Sequence, residues 1–177
     1  MPEIRIAREA GACYGVGRAL DMVRRAAQAA PGHVRTLGPL IHNPTVVADL
    51  EASGVEVVEQ PHEAAGNTLV LRTHGVTPEV ESAARKACSE VIDATCPFVK
   101  RAHNAAELLS REGYQLIVVG EVGHPEVEGT VGHAPEALIV GDASELKDVK
   151  ISRRVGMVVQ TTMTHYEIGR ASCRERV

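Results

Sequence analysis

Six short segments carry side chains suited to chemistry. Cys13 lies in Gly11-Ala-Cys-Tyr-Gly-Val-Gly17, His42 precedes Asn43-Pro44, and His74 precedes Gly75. Cys96 lies in Asp93-Ala-Thr-Cys-Pro97, His124 and Glu126 in His124-Pro-Glu-Val-Glu-Gly129, and Thr161 in Gln160-Thr-Thr162. The two cysteines are too far apart for a CxxC redox pair or a zinc ribbon. They read either as two thiolate ligands brought together by tertiary structure, as an iron–sulfur cluster uses, or as two unrelated buried thiols. The three histidines stand beside turn residues. Protonated imidazoles and helix-start amides would hold a phosphate or diphosphate without Lys or Arg; neutral imidazoles would hold a metal. Taken singly, each is also an ordinary hydrogen-bonding histidine.

Glu126 falls in a loop shaped by proline and glycine, where a carboxyl beside an anion site can donate a proton. Glu128 competes for that role, and both also read as a solvated acidic loop. Thr161 is suited to orienting a substrate hydroxyl or that carboxyl, and also to capping a strand end. His33, His62, His103, His133 and His165 lack such surroundings and are read as surface or hydrogen-bonding histidines. Gly15-Val16-Gly17 is half of a dinucleotide fingerprint, but Leu20 stands where its last small residue belongs. The glycines fit better with a backbone passing close to something bulky.

Elements that would position these residues follow from periodicity. Short β-rich runs at 4–8, 34–37, 55–58, 68–72, 91–93, 115–120, 137–140 and 155–159 read as strands. Val16, Ala19, Leu20, Val23, Ala26, Ala27 and Ala30 form one helical stripe. Val80, Ala83, Ala84, Ala87 and Cys88 form a second behind Pro78, and Val99, Ala102, Ala106 and Leu109 a third. Cys88, on the second stripe, reads as core. Strand–helix alternation with short connections predicts an α/β fold with parallel sheets. The six reactive segments all follow strands, and open parallel sheets bind ligands outside the carboxyl ends of their strands.

With 177 residues, 44% hydrophobic and 24% charged, the chain has a globular composition. A net charge of −4 gives no basic footprint for nucleic acid, and Phe98, Tyr14, Tyr114 and Tyr166, without any Trp, make no stacking platform. No apolar run has the ~20 residues that span a bilayer, and the N-terminus lacks the pattern of a signal peptide. The expectation is a cytoplasmic protein with reduced thiols and no nucleic-acid or membrane partner. The last ten residues, Ile168-Gly-Arg-Ala-Ser-Cys-Arg-Glu-Arg-Val177, lose the apolar pattern and read as a translated sequencing adapter, the alternative being an ordinary Arg-rich tail. Genuine sequence is then expected to end near Glu167, with Cys173 an artefact.

The motifs around Cys13, His42, His74, Cys96, His124–Glu126 and Thr161, in that order along the chain, resemble the LytB-type 4-hydroxy-3-methylbut-2-enyl diphosphate reductases. The resemblance implies a trefoil of small parallel-sheet αβα units around a central [4Fe–4S] cluster, of which this chain holds two. The implied division is 1–13 for the N-terminal strand and first cysteine loop, 14–96 for the first unit, 97–167 for an incomplete second unit, and 168–177 for the adapter. It implies reductive removal of the C4 hydroxyl from an allylic diphosphate, giving isopentenyl and dimethylallyl diphosphate, the last step of the methylerythritol phosphate route to isoprenoids. Cys13 and Cys96 become two of three cluster ligands. His42, His74 and His124 border the diphosphate, Glu126 relays protons, and Thr161 contacts substrate. The electron donor would be a protein such as a ferredoxin or flavodoxin. The family's third cysteine and further substrate contacts belong to a later domain, so the fragment alone is expected to be inactive. The competing classes are a zinc-dependent phosphoester hydrolase and a non-catalytic anion-binding module. Bound zinc would favour the hydrolase; brown colour with labile sulfide would exclude both.

Overall fold

The structure, a computed structural model, describes Arg5 and residues 11–164. Among the described residues, seven strands build two parallel sheets. β1 (Val34–Leu37), β2 (Val55–Val58), β3 (Thr68–Leu71) and β4 (Glu90–Asp93) form the first, in the order β2-β1-β3-β4. β5 (Gln115–Val119), β6 (Leu138–Val140) and β7 (Val155–Val159) form the second, in the order β6-β5-β7. Every pairing is parallel. Five α-helices connect and cover them: α1 (Tyr14–Ala29), α2 (Pro44–Ala52), α3 (Pro78–Ala87), α4 (Pro97–Arg111) and α5 (Pro125–Gly132). The expected strand at 4–8 lies outside the described residues, Arg5 apart, as do His165 and the stretch 168–177 with Cys173. The other seven expected strands are present, with ends differing by one residue at most.

Burial follows the strand period of two. In β3, Val70 joins a cluster with Ala19 and Val23 of α1, while Leu69 and Leu71 join Ala84 of α3 on the opposite face. In β5, Leu116 and Val118 pack with Ala106 of α4 and Val127 of α5, while Ile117 and Val119 face Val140 on the other side. Both faces of each sheet are thus apolar, as parallel sheets require.

Two helices depart from the sequence reading. α2 was not expected, and α5 replaces the loop expected around Glu126. α5 carries Gly129 and Gly132 because a Cβ at either would meet a neighbour. At Gly129 it would lie 3.2 Å from His103 Nε2, and at Gly132 2.5 Å from Thr77 Cβ. Close tertiary approach, rather than helix propensity, holds this helix. Cys88 is the C-cap of α3 in extended conformation, half-buried against the α3 cluster, and burial pushes its thiol pKa up.

Candidate functional site

Each sheet changes direction at one point. The chain runs β1 to β2 on one side, then crosses to β3 and β4 on the other, so the loops after β1 and β3 diverge from adjacent strand ends. The second sheet does the same about β5, which lies between β6 and β7. Crevices at such switch points are where open α/β sheets bind ligands. His42 and His74 follow β1 and β3; His124, Glu126 and Thr161 follow β5 and β7.

The structure brings the three imidazoles together. Ring centroids are 4.5 Å apart for His42 and His74, 5.9 Å for His42 and His124, and 5.5 Å for His74 and His124. One ligand atom from each lies within 4.8 Å of the others. Burial, with the positive character of His42, His124 and Arg72 nearby, pulls the His74 pKa down to about 4. Its Nδ1 is buried without a hydrogen-bond partner among the described residues. His124 caps α5, and its Nδ1 accepts the Glu126 N–H at 3.1 Å. A neutral His124 ring therefore carries its proton on Nε2 and presents a donor.

Glu126 is not a solvated loop residue. It occupies the first turn of α5 and is only 2% exposed. Its Oε1 accepts the Thr161 N–H at 2.6 Å and its Oε2 accepts the Thr161 hydroxyl at 2.9 Å. Gln160 holds the turn carrying Thr161, its Oε1 accepting the Glu121 N–H at 2.9 Å.

Cys13 and Cys96 are the N-caps of α1 and α4, and neither side chain caps its helix. The first turns of both helices carry the partial positive charge of their free amides. The two helix starts meet: a Cβ on Gly15 would lie 2.7 Å from Cys96 Sγ. Arg18 adds a hydrogen bond to the Thr95 carbonyl at 3.2 Å. Only Gly15 serves close approach here, since Cβ atoms at Gly11 and Gly17 would meet nothing within 4 Å. Thr73 ties the first sheet's loops together. Its hydroxyl donates to the Leu40 carbonyl at 2.9 Å, and its carbonyl accepts the Cys96 N–H at 2.9 Å.

Sequence reasoning missed one central residue. His103 was read as a surface or hydrogen-bonding histidine, but it is 5% exposed, beside the His133 ring at 4.5 Å. Burial, outweighing the opposing charge of Asp93, brings its pKa down to about 4. The available signal was its spacing, four residues after Val99 and three before Ala106, on the buried face of α4.

Fold and site define an open parallel α/β protein with two thiols at helix N-cap positions, three converging imidazoles and one buried carboxyl. The chain belongs to the LytB protein family, whose sequence profile matches residues 4–173. It is 42% identical over 166 residues to the 4-hydroxy-3-methylbut-2-enyl diphosphate reductase of Aquifex aeolicus, covering 92% of this chain and 57% of that protein. The Geobacter metallireducens reductase is 44% identical over 164 residues, with the same coverage. A solved structure of (E)-4-hydroxy-3-methyl-but-2-enyl diphosphate reductase, the terminal enzyme of the non-mevalonate pathway, superposes with TM-score 0.83 at 40% identity, covering 97% of this chain and 62% of that one. The corresponding Plasmodium falciparum reductase superposes with TM-score 0.87 at 27% identity, covering 93% and 53%. The chain spans little more than half the length of these relatives. No helix among the described residues is long and apolar enough to cross a membrane.

Proposed function

We propose that the whole protein is a cytoplasmic 4-hydroxy-3-methylbut-2-enyl diphosphate reductase, and that this chain supplies its diphosphate-binding crevice, its proton relay and two of its cluster thiolates. We further propose a division into units 14–96 and 97–167, joined at Cys96-Pro97 between β4 and α4. The observation that carries the reading is the convergence of His42, His74 and His124 within 4.8 Å, with a donor on His124 Nε2. A donor on His124 Nε2 suits an oxygen of a diphosphate. A zinc ion would need a lone pair where His124 presents a proton, so the same hydrogen bond weighs against the hydrolase.

The thiols fit an iron–sulfur cluster. Cys13 and Cys96 stand at the N-termini of two helices that meet, and the Cys96 side chain takes the place a Cβ on Gly15 would need. A [4Fe–4S] cluster held there, with a third thiolate from the rest of the protein, would supply a Lewis-acidic iron and would relay electrons singly, two per turnover, from a ferredoxin- or flavodoxin-type donor.

The chain's own residues bind, orient and transfer protons. The three imidazoles fix the diphosphate, so the far end of the allylic alcohol is held in one place. Overall the C4–O bond breaks and two electrons enter the allylic unit. One proton leaves with the hydroxyl as water, and one is added to carbon. The exposed Thr161 hydroxyl is hydrogen-bonded to Glu126 Oε2, so a protonated Glu126 can give its proton to that hydroxyl while the hydroxyl passes its own outward to the oxygen leaving C4.

Calorimetric titration of this chain with inorganic pyrophosphate, and separately with zinc, tests the crevice. Pyrophosphate binding that weakens at least about tenfold in His42→Ala supports the reading, the scale of about one charge-assisted hydrogen bond. Stoichiometric zinc binding without pyrophosphate binding overturns it.

A further inference from the structure

His103 lies between the segments that carry the site. An added Cβ on Gly75, the residue after His74, would lie 2.4 Å from His103 Cε1 and 3.2 Å from Thr95 Cγ2. An added Cβ on Gly129, three residues after Glu126, would lie 3.2 Å from His103 Nε2 and 3.5 Å from the His74 carbonyl oxygen. The imidazole thus fills a slot walled by the His74 loop, by α5 and by the residue preceding Cys96. Both facing positions are glycine, and Gly75 also has φ +74°. His133 closes the slot from the C-terminal end of α5. A buried leucine would fill an ordinary core as well. This ring instead leaves Nε2 buried without a partner among the described residues, a cost that a space-filling role alone does not explain.

We infer that His103 is a positioning residue: its flat ring sets the separation between the His74 loop and α5, and so holds His74 in register with His124 and Glu126. The functional meaning of that register rests on the diphosphate reading above, while the spacing itself does not. Without the ring, the His74 loop and α5 can shift against each other or admit water, and the half-buried His74 imidazole changes its surroundings.

The test compares the 177-residue chain with His103→Ala and His103→Leu, the second keeping bulk without a flat ring. Each is followed by NMR titration of the histidine Cε1–Hε1 signals and by calorimetry with inorganic pyrophosphate, at a temperature where thermal unfolding shows the protein folded. The expected result is a rise of the His74 midpoint by about one pH unit in the folded variants, toward that of a solvated imidazole. Pyrophosphate affinity should fall in parallel. A lowered melting temperature with the His74 midpoint and affinity unchanged would make His103 simple filler and overturn the inference. If the midpoint moves but the unaltered chain binds no pyrophosphate, the positioning role stands and the diphosphate reading fails. If Ala unfolds the chain, Leu decides: an unmoved His74 midpoint there overturns the inference.

Discussion

Thr161 holds Glu126 by two hydrogen bonds that come from different parts of one residue. The backbone N–H reaches Oε1 at 2.6 Å and the hydroxyl reaches Oε2 at 2.9 Å. The partners are 35 positions apart, joining the loop after β7 to the first turn after β5 across adjacent strands. A buried carboxylate needs such donors. Because one of them is a rotatable hydroxyl, the pair can also pass a proton.

Glu126→Gln separates these two roles. The amide can turn its nitrogen toward the Thr161 hydroxyl, which can accept as well as donate, so the fold should survive. Turnover of the whole reductase should fall by roughly 10²–10⁴, the usual worth of a positioned acid or base, with iron content unchanged. Steady-state assay beside iron analysis checks this; near-normal turnover would refute the relay.

Cys96→Ser should abolish stable cluster assembly in the anaerobically reconstituted whole protein. The variant removes a thiolate at a helix N-terminus and offers a poor iron ligand in its place. Iron and labile-sulfide content equal to the parent protein would contradict the ligand role.

Gly15→Ala and Gly17→Ala make a matched pair on one helix. The first sets a Cβ 2.7 Å from Cys96 Sγ and should destabilise the chain by about 1–3 kcal/mol through overpacking. The second meets nothing within 4 Å and should be neutral or stabilise by up to about 1 kcal/mol. Urea unfolding of the two variants measures the contrast, and equal effects would sink the close-approach argument.

His74 and His103 both have folded-state pKa values brought to about 4, below the usual imidazole value of 6.5. The unfolded chain therefore binds more protons than the folded chain between these values. Stability from the neutral rings is complete above pH 6.5 and is lost progressively as pH falls toward 4. Urea midpoints at pH 7.5 and pH 5 should show this decline, and His103→Leu should reduce it. An increase in stability on acidification over that interval would contradict the burial of neutral rings.

Strands were the legible part of this sequence. In β3 and β5 the apolar runs are short, continuous and bounded by turn residues, because both faces are covered. α5 was hidden by Gly129 and Gly132, which weaken any helical signal and whose reason lies in His103 and Thr77, distant in sequence. The site residues were visible as types at strand ends, but contacts were not. Nothing in local spacing shows that Gly15 meets Cys96 or that three imidazoles converge across two sheets. His103 lacks the adjoining turn residues that mark His42, His74 and His124, and its contacts with Gly75 and Gly129 are distant in sequence.

The most direct test of the central claim is anaerobic reconstitution of the protein expressed from the complete reading frame, followed by assay with 4-hydroxy-3-methylbut-2-enyl diphosphate and a chemical reductant. The expected result is conversion to isopentenyl and dimethylallyl diphosphate by the iron-loaded protein, and its loss in Glu126→Gln at equal iron content. Iron-loaded protein that leaves this substrate unchanged would contradict it.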